Sequence, residues 1–364
     1  MSIPKFLNPT SFHAELRSSV SAYFEKAKKN QTGNYKLYFK AVIIMSSFLL
    51  LYTHLVFFSK PLLDNGSFWA ITLLVVECLI LAMLTSAIGF NIMHDGAHGS
   101  FSSKKWVNDM AGLSLNMLGA NVFMWKTKHN IVHHTFTNID EVDDDINARP
   151  FLRLCENQKK FKIHNYQHIY FLGAYSLLYI YWIFFTDYKK YFSKKVGQIQ
   201  IKKMSMNEHF SFWGFKVVHI LLFVVTPIIT VGFLPWLIGF LIYGCFAGIV
   251  LSVVFQLAHT VQETQFPIAD IVTGKVEDEW AVHQLKTTAN FATKSKFWNW
   301  FTGGLNFQVE HHLFPNISHV HYPEISNIVK AVCQKYNMPY LEHRKTRYAF
   351  ASHVAHLKAI GRAN

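Results

Sequence analysis

The chain has 364 residues, 51% of them hydrophobic, 16% aromatic and only 16% charged, with a formal charge of +13. Its mean hydropathy of +0.15 and the clustering of its apolar residues in blocks exclude an ordinary soluble domain. The basic residues are spread along membrane-flanking segments with no recognisable binding motif, so a nucleic-acid partner is not expected.

In chain order, the first segment carries Lys26, Lys28 and Lys29 and is too long and polar at its start for a cleaved signal peptide. From Ala41 to Ser59 about 19 residues run without a charge, and from Phe68 to Phe90 about 23 run with only Glu77 inside, each enough to span a bilayer core. Val107 to Trp125 is apolar but holds Asn108, Asp109, Asn116 and Asn121, which predicts a segment at or dipping into the membrane surface. Tyr166 to Thr186 predicts an interfacial or partly embedded helix; one extra crossing there would put His311 and His312 on the opposite side from His94 and His129. In that stretch, His164 and His168 have no third partner and read as polar interfacial groups. Lys189 to Lys203 predicts a charged turn or short helix.

A second apolar pair follows, Phe215 to Phe233 and Leu234 to Leu257, and Phe68, Trp69, Trp213 and Trp236 mark block ends as an aromatic belt does. The predicted fold is an all-α integral membrane protein: four transmembrane helices as two hairpins, at about residues 41–90 and 215–258. A cytoplasmic helical cap from about 91–214 and 260–364 completes a single domain. Lys plus Arg number 7 in residues 1–40, 15 in 91–214 and 11 in 260–364, whereas Lys60 stands alone in the first hairpin's connection. By the positive-inside rule both termini and the cap face the cytoplasm. Cys78, Cys155, Cys245 and Cys333 show no metal or redox spacing and read as reduced structural thiols.

The chemistry lies in three histidine clusters, all outside the apolar blocks. They are His94-Asp95-Gly96-Ala97-His98, His129-Asn130-Ile131-Val132-His133-His134 and Gln308-Val309-Glu310-His311-His312. His94 and His98, and again His129 and His133, stand four apart, so on a helix each pair shares a face. A lone histidine among the 20 in this chain would read as a satisfied polar residue. Seven clustered imidazoles exceed what one ion uses and predict two metal ions of the kind neutral imidazole suits. The acidic run Asp140, Glu141, Asp143, Asp144 and Asp145 supplies carboxylates that could orient those rings, or else a solvated helix cap. Asp95 and Asp144 are candidates for that role. Trp280, His283, Gln284, Thr288 and Asn290 form a polar patch before the third cluster, suited to substrate contact, ligand support or packing.

HDGAH, HNIVHH and QVEHH, in that order and separated by a membrane hairpin, resemble the three histidine boxes of the membrane-bound fatty acid desaturases. The resemblance runs from about Ala41 to about His321, and Gln308 opening the third box is similar to the front-end acyl desaturases. It implies an oxygen-dependent non-haem enzyme with two iron ions, O2 as co-substrate and an acyl-CoA or acyl-lipid substrate. Breaking an unactivated methylene C–H bond lies beyond side-chain acids and bases, which agrees with a metal and oxygen oxidant. It implies that His94, His98, His129, His133, His134, His311 and His312 are iron ligands, with His259 as a further one at the end of the fourth span. Gln308 stands where other desaturases have histidine and would bind iron weakly or hydrogen-bond. No His-Pro-Gly-Gly haem motif of a fused cytochrome b5 occurs, so a separate donor is implied, ferredoxin or cytochrome b5 with its reductase. Membrane lipids complete the partners. The same scaffold also serves hydroxylases and sphingolipid desaturases. A metal transporter would want ligands within the spans, which offer chiefly His54, Glu77 and His219.

Overall fold

The computed structural model describes residues 3–270 and 272–363. Among the described residues, four helices are long and apolar enough to cross a membrane: Tyr35–Phe58, Phe68–His98, Met206–Val231 and Phe233–His259. They are the four expected spans, and three begin where a polar side chain satisfies otherwise orphaned backbone N–H groups. Asn34 accepts from Lys36 and Leu37 at the first, Ser67 from Ala70 at the second, and Ser205 with Glu208 forms a reciprocal capping box at the third. Gly232 separates the third span from the fourth at φ 93°, a backbone conformation that glycine alone adopts cheaply.

The second span runs further than its apolar composition predicts. It passes through a π-helical turn, Gly89–Met93, and ends as His94–His98, so the first histidine pair is the tip of a membrane helix. The second and fourth spans share a core that includes Leu81, Ala82, Ala247 and Leu251. Leu49 and Leu50 on the first span and Val217 and Leu221 on the third face outward, which a lipid-exposed helix allows.

The stretch expected to be interfacial is a bent pair, Lys162–Ser176 and Leu178–Ser193, with 53° between its halves. Phe171, Tyr175, Tyr179 and Ile183 point inward and Ile169, Tyr181 and Phe185 outward, so the pair presents one face to the protein. It meets the fourth span at Gly248, where any Cβ would stand 2.5 Å from the Ser176 carbonyl oxygen. Beyond it the basic stretch forms a tight hairpin, Lys195–Val196 with Ile199–Gln200, turning through Gly197 at φ 55°.

The remaining segments form a cap at the histidine ends of the spans. Ser11–Ala27 packs on Tyr322–Lys335, and Thr346–Arg362 on Gln167–Ser176. Two short parallel strand pairs tie it together, Lys5–Leu7 with Lys275–Glu279 and Asn290–Phe291 with Glu342–His343.

A buried lysine fastens this cap to the third span. Lys216 Nζ donates to the carbonyls of Gly119 (2.6 Å) and Ile183 (2.9 Å) and lies 3.1 Å from Asp187 Oδ2. Removing one partner of such a pair strands the other charge, at a cost of about 3–5 kcal/mol. Lys216→Met is therefore expected to lower the melting temperature in detergent markedly, and Lys216→Met with Asp187→Leu to recover part of the loss. Equal stability of the single variant and the parent would contradict this fastening.

Candidate metal centre

The eight histidines are delivered by elements far apart in the chain. His94 and His98 end the second span, and His259 ends the fourth. His129 and His133 lie on a π-helical segment, Thr127–His133, with His134 opening the next turn. His311 and His312 sit on the short helix Gln308–Leu313. The π-helix alters the expected geometry, because widening the turn brings residues five apart into line. His129 and His134 accordingly approach with Nε2 atoms 3.2 Å apart.

All eight rings are buried. Burial and neighbouring rings hold His129, His134, His311 and His312 well below the usual imidazole range, so each is neutral and has a lone pair to offer. Burial also lowers His133, but Asp143 and Asp145 outweigh it and raise the ring.

The outward nitrogens are committed. His133 Nδ1 donates to Asp143 Oδ2 at 3.0 Å, His312 Nδ1 to Gln284 Oε1 at 2.8 Å and His259 Nδ1 to the Thr287 carbonyl at 3.3 Å. His311 Nδ1 lies 3.1 Å from the Tyr322 hydroxyl. With Nδ1 so engaged, the Nε2 lone pair of each ring faces inward. Among the described residues, Nε2 of His98, His133, His311 and His312 meets no hydrogen-bonding partner. His129 Nε2 stands 3.3 Å from His94 Nε2 and 3.2 Å from His134 Nε2; one shared proton can serve one such contact, not both.

The ligand atoms fall into two groups, His94, His98, His129 and His311 in one and His133, His259 and His312 in the other, each within 4.8 Å of one another. His134 lies between them, its ring centroid 4.5 Å from that of His311 and 4.4 Å from that of His312. Converging, buried imidazole nitrogens suit two borderline-soft cations, and the absence of thiolates from both groups fits iron, zinc or copper. His129, His133 and Asp145 also approach one another, but Asp145 faces Nδ1 of His133 at 3.4 Å and Nδ1 of His129 at 4.0 Å. That carboxylate sits on the outer ring edges, as an orienting group rather than a third ion's ligand. Lys128, 2.5 Å away, and His133 hold it below the usual carboxylate range against the opposing effect of burial.

The supporting residues divide unevenly. Asp144 turns away from the rings to Lys190 at 2.7 Å, and its neighbours Asp143 and Asp145 face them instead. Asp95 bonds chiefly to His319 Nδ1 (2.9 Å) and Ser318 Oγ (2.7 Å) and stands 4.0 Å from His94 Nδ1. Gln308 Nε2 lies 3.0 Å from His259 Nε2, placing the amide at the second group. Trp280 Nε1 donates to the His134 carbonyl at 3.0 Å, and Thr288 Oγ1 to the Gln284 carbonyl at 2.6 Å. Asn290 bonds to Glu310 and Tyr340, and burial pushes the Glu310 carboxyl up to about 7. His283 packs on Phe6 at 5.0 Å and reaches neither group. His164 bonds to the Pro150 carbonyl at 2.9 Å, likewise apart.

Sequence reasoning missed His319, Tyr322 and Thr137, whose hydroxyl donates to Gln284 Oε1 at 2.9 Å, whereas Thr287 belongs to the polar patch expected before the third cluster. His319-Val320-His321 was a visible histidine pair, but the Asp95 contact spans 224 positions and leaves no local pattern. An apolar cavity reaches His94, lined by Phe90, Met93, Leu115, Trp125, Leu251 and Phe255. The fourth span contributes Leu251 and Phe255 to this wall.

A family model described as fatty acid desaturase matches residues 70–344, which includes every candidate ligand. The chain is 34% identical over 362 residues to the sn-1 linoleoyl-lipid 6-desaturase of Synechocystis sp., covering 99% of this chain and 98% of that protein. It is 33% identical over 356 residues to the acyl-lipid (8-3)-desaturase of Physcomitrium patens, covering 96% and 72%. To the acyl-lipid (8-3)-desaturase of Mortierella alpina it is 31% identical over 363 residues, covering 99% and 80%. Near-complete alignment to named desaturases, together with a membrane-helix scaffold that buries three histidine boxes, means that the chain belongs to the fatty acid desaturase family.

Proposed function

We propose that this enzyme desaturates the acyl chain of a membrane lipid at the front-end position, using two iron ions held by the box histidines and His259. The observation that carries this reading is the pair of converging imidazole groups, the first of which meets an apolar cavity at His94. The relatives' names supply the acyl-lipid substrate class.

The first ion would be held by His94, His98, His129 and His311, and the second by His133, His259 and His312, with His134 between them. Iron bound there would supply the activation of O2 that breaking a methylene C–H bond requires. Removing two hydrogens from the acyl chain yields two electrons, and reducing O2 to two waters takes four, so two more arrive from a donor. A ferredoxin or cytochrome b5 with its reductase fits that need, and the exposed Lys189, Lys194, Lys195, Lys202 and Lys203 would favour an acidic partner. The excess of basic residues on the cap supports a cytoplasmic position for it and for both termini, by the positive-inside rule.

The protein's own groups do three things. Asp143, Gln284 and Thr287 hold the tautomer and angle of His133, His312 and His259. The apolar wall of Phe90, Met93, Leu251 and Phe255 excludes water beside His94 and accepts an alkyl chain. Gln308 keeps a neutral hydrogen-bonding group beside His259 where a ninth imidazole would add a ligand.

Expression in a host fed defined fatty acids, followed by lipid analysis by gas chromatography and mass spectrometry, is expected to show one new cis double bond on the carboxyl side of an existing one. A hydroxylated product would contradict the reading. His133→Ala is expected to abolish turnover and lower iron content together; full iron loading in that variant would remove His133 from the ligand set. Asp143→Asn, which keeps the shape but weakens the bond to His133, is expected to weaken iron retention against a chelator by about 10–100-fold. Parent-like retention would deny Asp143 its orienting role.

A further inference from the structure

The cavity beside His94 does not end in open space. Its lining continues away from the metal groups to Thr85 on the second span and Tyr179 on the bent pair, and these meet Tyr243 of the fourth span. Thr85 Oγ1 lies 3.0 Å from Tyr243 Oη, Tyr243 Oη lies 3.0 Å from Tyr179 Oη, and Tyr179 Oη donates to the Leu118 carbonyl at 2.7 Å. All three side chains are 3% exposed.

Beyond Tyr243 a second cavity opens between the two hairpins, about 300 Å³ in volume. Leu74, Cys78, Leu81, Phe223, Gly239 and Tyr243 are among its walls. The two cavities share helix faces. On the second span Phe90 and Thr85 line the first and Leu81, Cys78 and Leu74 the second, at spacings of three to five residues. On the fourth span Phe255 and Leu251 line the first, and Tyr243 and Gly239 the second, at multiples of four.

We infer that the two cavities are one path for the methyl end of the acyl chain, interrupted by Tyr243, and that this ring sets how much chain fits beyond the reacting carbons. The inference rests on the acyl-desaturase reading above and deepens it. Buried hydroxyls in an apolar wall are costly unless paired, and these three pair with one another and end on a backbone carbonyl. The network fixes the ring across the path, since turning Tyr243 aside would break two hydrogen bonds in a dry site. Thr85 precedes His94 by nine residues, about 13 Å at the helical rise of about 1.5 Å per residue. An extended alkyl chain advances about 1.25 Å per carbon for tetrahedral bonds of about 1.5 Å, so that distance corresponds to roughly ten carbons; the first cavity is about 30 Å³, so a chain following this path must part its walls as it enters. The second cavity is within the size range of small-molecule sites and can take the tail of a longer chain once the ring is gone.

The test compares the parent with Tyr243→Ala, Tyr243→Phe and Tyr243→Ala combined with Gly239→Leu. Each is expressed in a host fed fatty acids that share the carboxyl-side structure and differ in methyl-side length. A Cβ at Gly239 meets only Cys78 Sγ at 3.7 Å, so leucine there grows into the second cavity without displacing backbone. Tyr243→Ala is expected to raise the ratio of long-chain to parent-length products about tenfold, the scale set by one or two newly accommodated methylenes. Tyr243→Phe, which keeps the ring but loses both of its hydrogen bonds, should fall between the parent and Tyr243→Ala, and Gly239→Leu should cancel the gain. A folded, active Tyr243→Ala enzyme with the parent's length profile overturns the inference, as does a gain that survives Gly239→Leu. If Tyr243→Ala does not fold, Thr85→Ala carries the test: it frees the ring on one side and must shift the profile the same way, and an unchanged profile overturns the inference. A parent enzyme that forms no double bond on any chain would instead contradict the desaturase reading.

Discussion

A buried neutral imidazole that has given its Nδ1 proton to a neighbour must find something positive for its Nε2 lone pair. Several such rings occur together here, and the rest of the structure can be read from the need to hold them. Asp143, Gln284 and the Thr287 carbonyl each take one outer proton, which turns a set of flexible side chains into converging donors. Without a cation the arrangement is costly: His129 Nε2 faces two other ring nitrogens within 3.3 Å. Binding a cation would relieve that cost, so part of any metal affinity would be stored in the fold before the metal arrives.

The scaffold supplies this convergence by ending helices at one level. The second and fourth spans pack along their length and deliver His94, His98 and His259 from their tips. The second cluster arrives on a π-helical segment and the third on a single short helix, both braced by cap elements far away in sequence. Lys216 and the contact at Gly248 then lock the third and fourth spans to the bent helical pair, which walls the apolar cavity with Tyr179 and Trp182. Catalytic placement and membrane packing are thus served by the same contacts.

Much of this was legible in the chain itself because bilayer burial and imidazole clustering leave strong local patterns. Charge-free runs located all four spans, and the three boxes named seven of the rings that the fold brings together. His259 carried no pattern of its own and came only from the family resemblance. The acidic run after the second box announced a carboxylate near the rings but not which one: alternation around the turn Asp144–Ile146 sends Asp143 and Asp145 inward and Asp144 to Lys190. His319, Tyr322 and the hydroxyl network at Tyr243 were invisible, because their partners lie on other elements and nothing in a local window encodes such distances. The π-helical turns were missed for a related reason, since a widened turn is imposed by tertiary packing and not by propensity.

Metal content of the purified protein tests the central claim most directly. Inductively coupled plasma mass spectrometry of the enzyme from iron-replete cells should return two iron atoms per chain, as the two imidazole groups require. Preparations that are active yet hold no transition metal, or that saturate at a single ion, would contradict it.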